Sequence, residues 1–332
     1  MAATTASMDT AAEATTPGVD VEAGNPKVDD AAPVTASFFT LPATHTDGYT
    51  LQCVEYNNEA SPREGVVLIL CHGYCDHFNG PSMAAMAKAA CGKYGVRTFA
   101  LDLTGFGRSS GVLGLVSSFQ HLIDDVLCLA HHVRERFPAE SHAMFLAGES
   151  MGGCVVLRLV RQVPDLFNGA ILFAPMVRIA DKQRPPAWQV PLFKGLSFIA
   201  PKWAVLPQPD DPIADCFRDP EVCELVRNDP LHYNGKPRLK TAYEMLTASE
   251  DLVAHLEEIT TPFLVLHGEA DAMTDIEYSR LLHERASSTD KTILTYPGAY
   301  HCLIVEPDGI GEQVATNVME WILARVPQTS AE

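Results

Sequence analysis

"FLAGESMGGCVVLRLV", residues 145 to 160, is an apolar run, a serine set between glycines, and a second apolar run. The two halves differ in period. Residues 143–148 are continuously apolar, as in a strand buried on both faces, whereas 151–163 space their apolar side chains as a helix does. A strand that turns into a helix over Gly148-Glu149-Ser150-Met151-Gly152 has the form of a nucleophile elbow. Its glycines let strand and helix pack closely while the serine is held strained and exposed. Gly-x-Ser-x-Gly is a weak pattern alone, and it recurs here at Gly107-Arg108-Ser109-Ser110-Gly111. At that second place the preceding strand ends near Leu101, several residues intervene, and Gly111 and Gly114 weaken any helix that follows. Ser150 is therefore the candidate nucleophile, and Ser109 a loop residue.

Outward from the elbow, short apolar or β-branched runs at 50–56, 66–71, 96–101, 143–148, 169–174, 262–267 and 291–296 predict strands. Helical patterns lie between them, near 81–93, 118–136, 151–163, 276–286 and 310–325. The fold class is α/β, with a mostly parallel, doubly wound sheet covered on both faces. Between Pro175 and Thr261 no strand-like run recurs, and Pro, Trp and Phe accumulate in "RPPAWQVPLFKGLSFIAPKWAVLPQP". This predicts an inserted helical cap at about 176–248. Residues 1–36 are Ala/Thr-rich and acidic with almost no large apolar side chains, the composition of a disordered tail. That leaves one domain at 37–332.

The whole chain has 332 residues, 47% of them hydrophobic, enough for one large core. Its 24 Lys and Arg against 42 Asp and Glu give a formal net charge of -18, which repels phosphate backbones and argues against nucleic acid as a partner. Nine cysteines without a CxxC pair, several inside strand-like runs, point to free buried thiols in a reducing compartment, with neither a disulfide framework nor a zinc site. The acidic tail has neither a secretory nor a transit pattern, and no apolar run reaches the length of a membrane span. The expectation is a cytoplasmic protein, with room for peripheral contact with membranes. Nothing in the sequence sets an oligomeric state.

A serine hydroxyl needs a base within hydrogen-bond reach, itself oriented by an acid. In a doubly wound sheet these groups belong just past the C-terminal ends of later strands. After 262–267 comes "HGEADAMTD", with Glu269, Asp271 and Asp275; after 291–296 comes "PGAYHCL", with His301. Asp271 is the preferred acid, Asp275 is better placed to cap the next helix, and Glu269 is the weaker competitor. His301 is the base. For the oxyanion, the backbone N–H of Met151 opens its helix, and "CHGY" puts Gly73 and the Tyr74 N–H at an earlier strand end.

"CHGY", "DLTGFGRSSG", "GESMGG", "HGEAD" and "AYHCL", in this order, resemble the serine-hydrolase branch of the α/β-hydrolase superfamily that contains monoacylglycerol lipases and, in plants, lysophospholipase-like and caffeoylshikimate esterases. The resemblance runs from about Phe38 to Val326, and the cap segment "NDPLHYNGKPRLKTAYEML" looks like plant-type members. It implies an α/β-hydrolase fold, with Ser150 as nucleophile, Asp271 as acid, His301 as base, and Tyr74 with Met151 as oxyanion donors. One departure is Cys75, which stands where the family often has a second glycine.

The implied reaction is hydrolysis of a carboxylic ester through an acyl-enzyme, first of a monoacylglycerol to fatty acid and glycerol. Lysophospholipids and caffeoylshikimate-type esters are the alternatives, with no metal or organic cofactor. A reading of another class keeps the fold as a small-molecule receptor without turnover. In the cap, Leu192, Phe193, Leu196, Phe198, Ile199 and Trp203 are expected to line an acyl site or touch lipid, or else to pack the cap onto the sheet. Cys302, beside the base, is either sensitive to oxidation or an inert packed thiol.

Overall fold

The computed structural model describes residues 34–179, 184, 186–206 and 209–327. Eight strands form one sheet: β1 (Thr35–Pro42), β2 (Thr50–Asn57), β3 (Arg63–Cys71), β4 (Val96–Leu101), β5 (Ala143–Glu149), β6 (Gly169–Phe173), β7 (Phe263–Gly268) and β8 (Lys291–Tyr296). Their order is β1-β2-β4-β3-β5-β6-β7-β8, antiparallel from β1 through β2 to β4 and parallel from there on. The helices in the same half of the chain are α1 (Pro81–Ala87), continued by a π-helical turn at Lys88–Lys93, α2 (Phe119–Arg136) and α3 (Met151–Gln162). Beyond β7 and β8 come α8 (Ile276–Arg285) and α9 (Ile310–Leu323).

Strand side chains alternate between two cores, as a period of two requires. In β3, Val67, Ile69 and Cys71 join the core beneath α2 and α3, while Val66, Leu68 and Leu70 join the one beneath α1 and α9. The same alternation separates Phe263 and Val265 from Leu264 and Leu266 in β7. Burial on both faces is what makes these strands read as unbroken apolar runs.

The chain winds from β3 to β4 and then crosses back to β5, so β3 has β4 on one side and β5 on the other. This reversal makes the C-terminal ends of β3 and β5 a topological switch point, the place where doubly wound sheets bind ligands.

The tail expected over 1–36 lies outside the described residues up to position 33, but its end needs correction. Thr35 and Ala36 pair with Asn57 and Tyr56 in β1, so the sheet begins two residues before the expected boundary at 37. β1 is an edge strand whose side chains are mostly exposed, so it carries no apolar run to be read.

The interval without strands is helical, and its helices are α4 (Val190–Ile199), α5 (Pro212–Cys216), α6 (Pro220–Asn228) and α7 (Leu239–Ala254). Two Asp-Pro pairs start the short ones. Asp211 accepts from the Ala214 N–H and Asp219 from the Glu221 N–H, with proline at the first helical position. α7 runs six residues past the expected cap boundary at 248 and packs on α3. Among the described residues, no helix is long and apolar enough to cross a membrane.

Candidate active site

β5 is buried throughout and runs directly into Ser150, whose φ of 55° and ψ of -116° lie outside the regions that L-residues favour. The end of β6 and the loop after it hold it there: the Ser150 N–H donates to Phe173 O at 3.0 Å, and its carbonyl accepts from the Met176 N–H at 2.9 Å. The glycines are sterically required. A Cβ on Gly148 would lie 2.5 Å from the Gly152 carbonyl oxygen, and one on Gly152 would lie 2.5 Å from the carbonyl oxygens of Cys71 and His72. Gly73 has more room: a Cβ there would lie 3.4 Å from Ser150 Cβ, close to ordinary contact, so the loop after β3 lies against the serine.

That loop is braced from beneath. Leu103 N–H donates to His72 Nε2 at 3.0 Å, which puts the ring proton on Nδ1, where it donates to Gly73 O at 2.7 Å. Burial pushes the His72 pKa down to about 3, so the ring stays neutral. Cys75 adopts a φ of 73°, the left-handed conformation of the glycine it replaces, and its carbonyl accepts from the Tyr233 N–H of the cap at 2.9 Å. Among the described residues the N–H groups of Tyr74 and Met151 have no protein acceptor, and the Ser150 hydroxyl makes no hydrogen bond.

Asp271 and His301 meet. His301 Nδ1 lies 2.7 Å from Asp271 Oδ2, with both side chains buried. The other carboxylate oxygen accepts from the N–H groups of Met273 at 2.7 Å and Thr274 at 3.0 Å. Burial opposes the charge on Asp271, but the His301 charge and hydrogen bonds from His267 and His301 outweigh it and hold the carboxyl well below the usual carboxylate range. For His301 burial acts downward, and the charge and hydrogen bond of Asp271 overcome it to raise the imidazole above its ordinary value.

Sequence reasoning missed a second histidine on the same carboxylate. His267 is fully buried at the end of β7, with Nε2 3.2 Å from Asp271 Oδ2 and Nδ1 2.8 Å from the Ser279 hydroxyl. Its signal was present in "HGEAD", four residues before the acid. Two carboxyls near the elbow, one buried and one half-buried, were missed as well. Glu149 and Asp76 are each pushed up to about 7 by burial, and Glu149 Oε1 has no hydrogen-bond partner among the described residues.

The competing acids are engaged elsewhere. Glu269 is exposed and accepts from the Thr295 hydroxyl at 2.8 Å, and Asp275 caps α8 by accepting from the Glu277 N–H at 3.0 Å. Ser109 is likewise occupied. Its hydroxyl donates to Asp102 O at 2.5 Å and accepts from the Gln52 N–H at 2.8 Å, which ties the loop after β4 to β2. Ser109→Ala is expected to lose about 1 to 2 kcal/mol of stability through these two bonds while keeping full turnover, as thermal unfolding and an ester assay would show. Cys302 is buried, and the thiol of Cys216 together with burial pushes its pKa well above the ordinary thiol value, so it stands as a packed thiol.

The cap candidates divide. Leu192, Leu196, Phe198, Ile199 and Trp203 are exposed, Ile199 by 82%, whereas Phe193 is half-buried against the Tyr243 ring at 6.2 Å. Five of the six are thus open to solvent to some degree, Leu196 the least. Among the described residues no group of three or more His, Cys, Asp or Glu could hold a metal ion.

The arrangement can do nucleophilic chemistry: a half-buried strained serine, two free amides beside it, and a buried histidine–carboxylate pair on the same sheet edge. Comparison with known proteins agrees. Residues 61–308 match the family described as serine aminopeptidase, S33. The caffeoylshikimate esterase of Arabidopsis thaliana is 33% identical over 76% of this chain and 77% of its own length. The monoglyceride lipase of Mus musculus is 28% identical over 86% of this chain and 91% of its own. The crystal structure of Paleococcus ferrophilus monoacylglycerol lipase superposes with a TM-score of 0.66 at 25% identity, covering 88% of this chain and 99% of that one.

Proposed function

The chain belongs to the serine aminopeptidase S33 family of α/β-hydrolases, and from that premise we propose that it is a serine ester hydrolase acting on monoacylglycerols, with Ser150, His301 and Asp271 as its triad. The observation that carries the triad is the 2.7 Å pair of His301 and Asp271 on two loops of the sheet edge that also bears Ser150. His301 takes the Ser150 proton at Nε2, and the serine oxygen attacks the ester carbonyl. The N–H groups of Met151 and Tyr74 receive the developing oxyanion. His301 then gives its proton to the leaving glycerol oxygen, and water enters by the same route to release the fatty acid. Asp271 holds the imidazole in the tautomer that leaves Nε2 free to accept.

The acyl half is supported by the cap. Its exposed Leu192, Phe198, Ile199 and Trp203 form an apolar surface suited to a lipid interface, with Lys240 Nζ 4.7 Å over the Phe198 ring. In this proposal a cytoplasmic protein touches membranes through α4 and the loop after it. A triple change Phe198→Ser, Ile199→Ser, Trp203→Ser is expected to cut turnover of a monoacylglycerol in vesicles at least tenfold and to leave a soluble short-chain nitrophenyl ester within twofold. Equal loss on both substrates would remove lipid contact as the role of that face.

A second reading, a caffeoyl ester as substrate, is favoured by the higher identity to the Arabidopsis enzyme. Parallel assays of a monoacylglycerol, a lysophospholipid, a caffeoyl ester, a nitrophenyl ester and an aminoacyl amide separate the substrates. Fastest kcat/KM on the monoacylglycerol is the expected order; a lead for the caffeoyl ester or the amide overturns the proposed substrate. Folded protein with no turnover of any of them would put the receptor reading first.

A further inference from the structure

The base is supported from two sides, and one of them is the cap. The backbone amides that flank His301 are both held from outside the turn that carries it. Tyr300 N–H donates to Glu306 Oε1 at 2.6 Å, and Cys302 N–H donates to Cys216 O at 3.1 Å. Cys216 is the last residue of α5 in the cap. Glu306 leads to the same segment: its side chain is 1% exposed, and its second oxygen accepts from Arg218 Nε at 2.8 Å. Arg218 lies two residues beyond Cys216 and also pairs with Asp308 at 3.0 Å through Nη2. A cap stretch of three residues thus grips the base loop before and after His301.

We infer that Arg218 is a positioning residue: with Glu306 it latches the cap to the His301 loop, so that the base stands in its productive place only while this part of the cap is seated. The inference rests on the assignment of His301 as base. A buried carboxylate that holds a backbone amide needs its own partner, and Arg218 supplies the cation. Without it the Glu306 carboxylate turns toward solvent or takes a proton, the hold on the Tyr300 amide weakens, and the imidazole drifts from Ser150. A displacement of about 1 Å at a catalytic group costs up to about 10²-fold in rate. The bond from Cys302 to Cys216 keeps the loop from leaving altogether, so the effect is on placement.

The test uses the full chain with Arg218→Ala, Arg218→Lys, Glu306→Gln and the Arg218→Ala/Glu306→Gln double variant. Three quantities are read on folded protein: kcat and KM on a soluble nitrophenyl ester, the rate of labelling by a fluorophosphonate, and the low-field proton resonance of His301 Nδ1. For Arg218→Ala, kcat and labelling are expected to fall about 10- to 100-fold with KM within twofold, and the Nδ1 resonance to shift or broaden. Arg218→Lys should recover most of the rate. The double variant should be no slower than the worse single one, because the two side chains act as one unit.

Unchanged kcat and an unchanged resonance in Arg218→Ala overturn the latch, as does a rise in KM alone, which would make Arg218 a substrate contact. Should Arg218→Ala not fold, Glu306→Gln and Arg218→Lys decide by the same readings. Wild type that the fluorophosphonate does not label sinks the nucleophile assignment instead, and the resonance then decides the latch by itself.

Discussion

Ester turnover by Ser150→Ala is expected to fall about 10⁶-fold, to the level that the two free amides and substrate binding sustain without a nucleophile. The loss should come with almost no change in stability. The φ of 55° at this position is imposed by hydrogen bonds of its backbone, from its N–H to Phe173 and to its carbonyl from Met176, and alanine presents the same backbone and the same Cβ. The hydroxyl it removes has no hydrogen bond to lose among the described residues. Activity and folding therefore separate at Ser150, whereas at Ser109 they are expected to move the other way. Turnover of Ser150→Ala above a thousandth of wild type in a steady-state assay would place the nucleophile elsewhere.

Asp271→Asn should lower kcat about 10⁴-fold while leaving the protein folded, because an amide of the same shape cannot hold the imidazole tautomer that the reaction needs. The carboxylate receives His301, His267 and Thr274 on one oxygen and two backbone N–H groups on the other. It is an acceptor on every side, and an asparagine must turn an NH2 toward donors on one of them. The pH profile carries a sign. In the proposed mechanism His301 works as a neutral base, so kcat/KM is expected to fall as pH drops through its pKa. Because Asp271 raises that pKa, the acid limb of the wild type is expected above the ordinary histidine value of about 6.5. In Asp271→Asn the raising charge is gone and the limb moves to lower pH. Residual activity above a tenth of wild type would reassign the acid, with Glu269→Gln as the next variant to measure.

The elbow and Asp271 were legible because β5 and β7 are buried on both faces and announce themselves as apolar runs, and His301 because a single histidine stands in the loop after the β-branched run of β8, a partly buried edge strand. β1 was not, since its side chains are mostly exposed and its Thr-Ala-Ser start continues the composition of the tail. His267 was overlooked for a different reason. The spacing of four residues was there to read, but a histidine closing an apolar strand reads as core, and only the turn after β7, where the Asp271 N–H donates to Gly268 O, brings the carboxylate onto the ring. Glu149 and Asp76 look like ordinary charges, and only burial makes them weak acids. The cap was visible by composition alone. Its apolar residues could have faced inward or outward, and the choice is made by how α4 lies on α7, which a sequence without period cannot give. Cys75 shows the limit of a motif: the residue differs from glycine, while the backbone keeps the left-handed turn.

The strand order also governs when this chain becomes chemically competent. In the proposed triad the serine is synthesised first, and its acid and base follow in the loops after β7 and β8, at the far end of the sheet order, the base about 150 residues later. At about 5 to 20 residues per second a ribosome takes roughly 8 to 30 s to cover that distance. Once β6 and Met176 have followed, the elbow has its backbone partners, and until the later loops arrive its hydroxyl is as inert as any free serine. A nascent chain meeting lipid esters cannot acylate itself, and hydrolysis switches on only when the last strand docks.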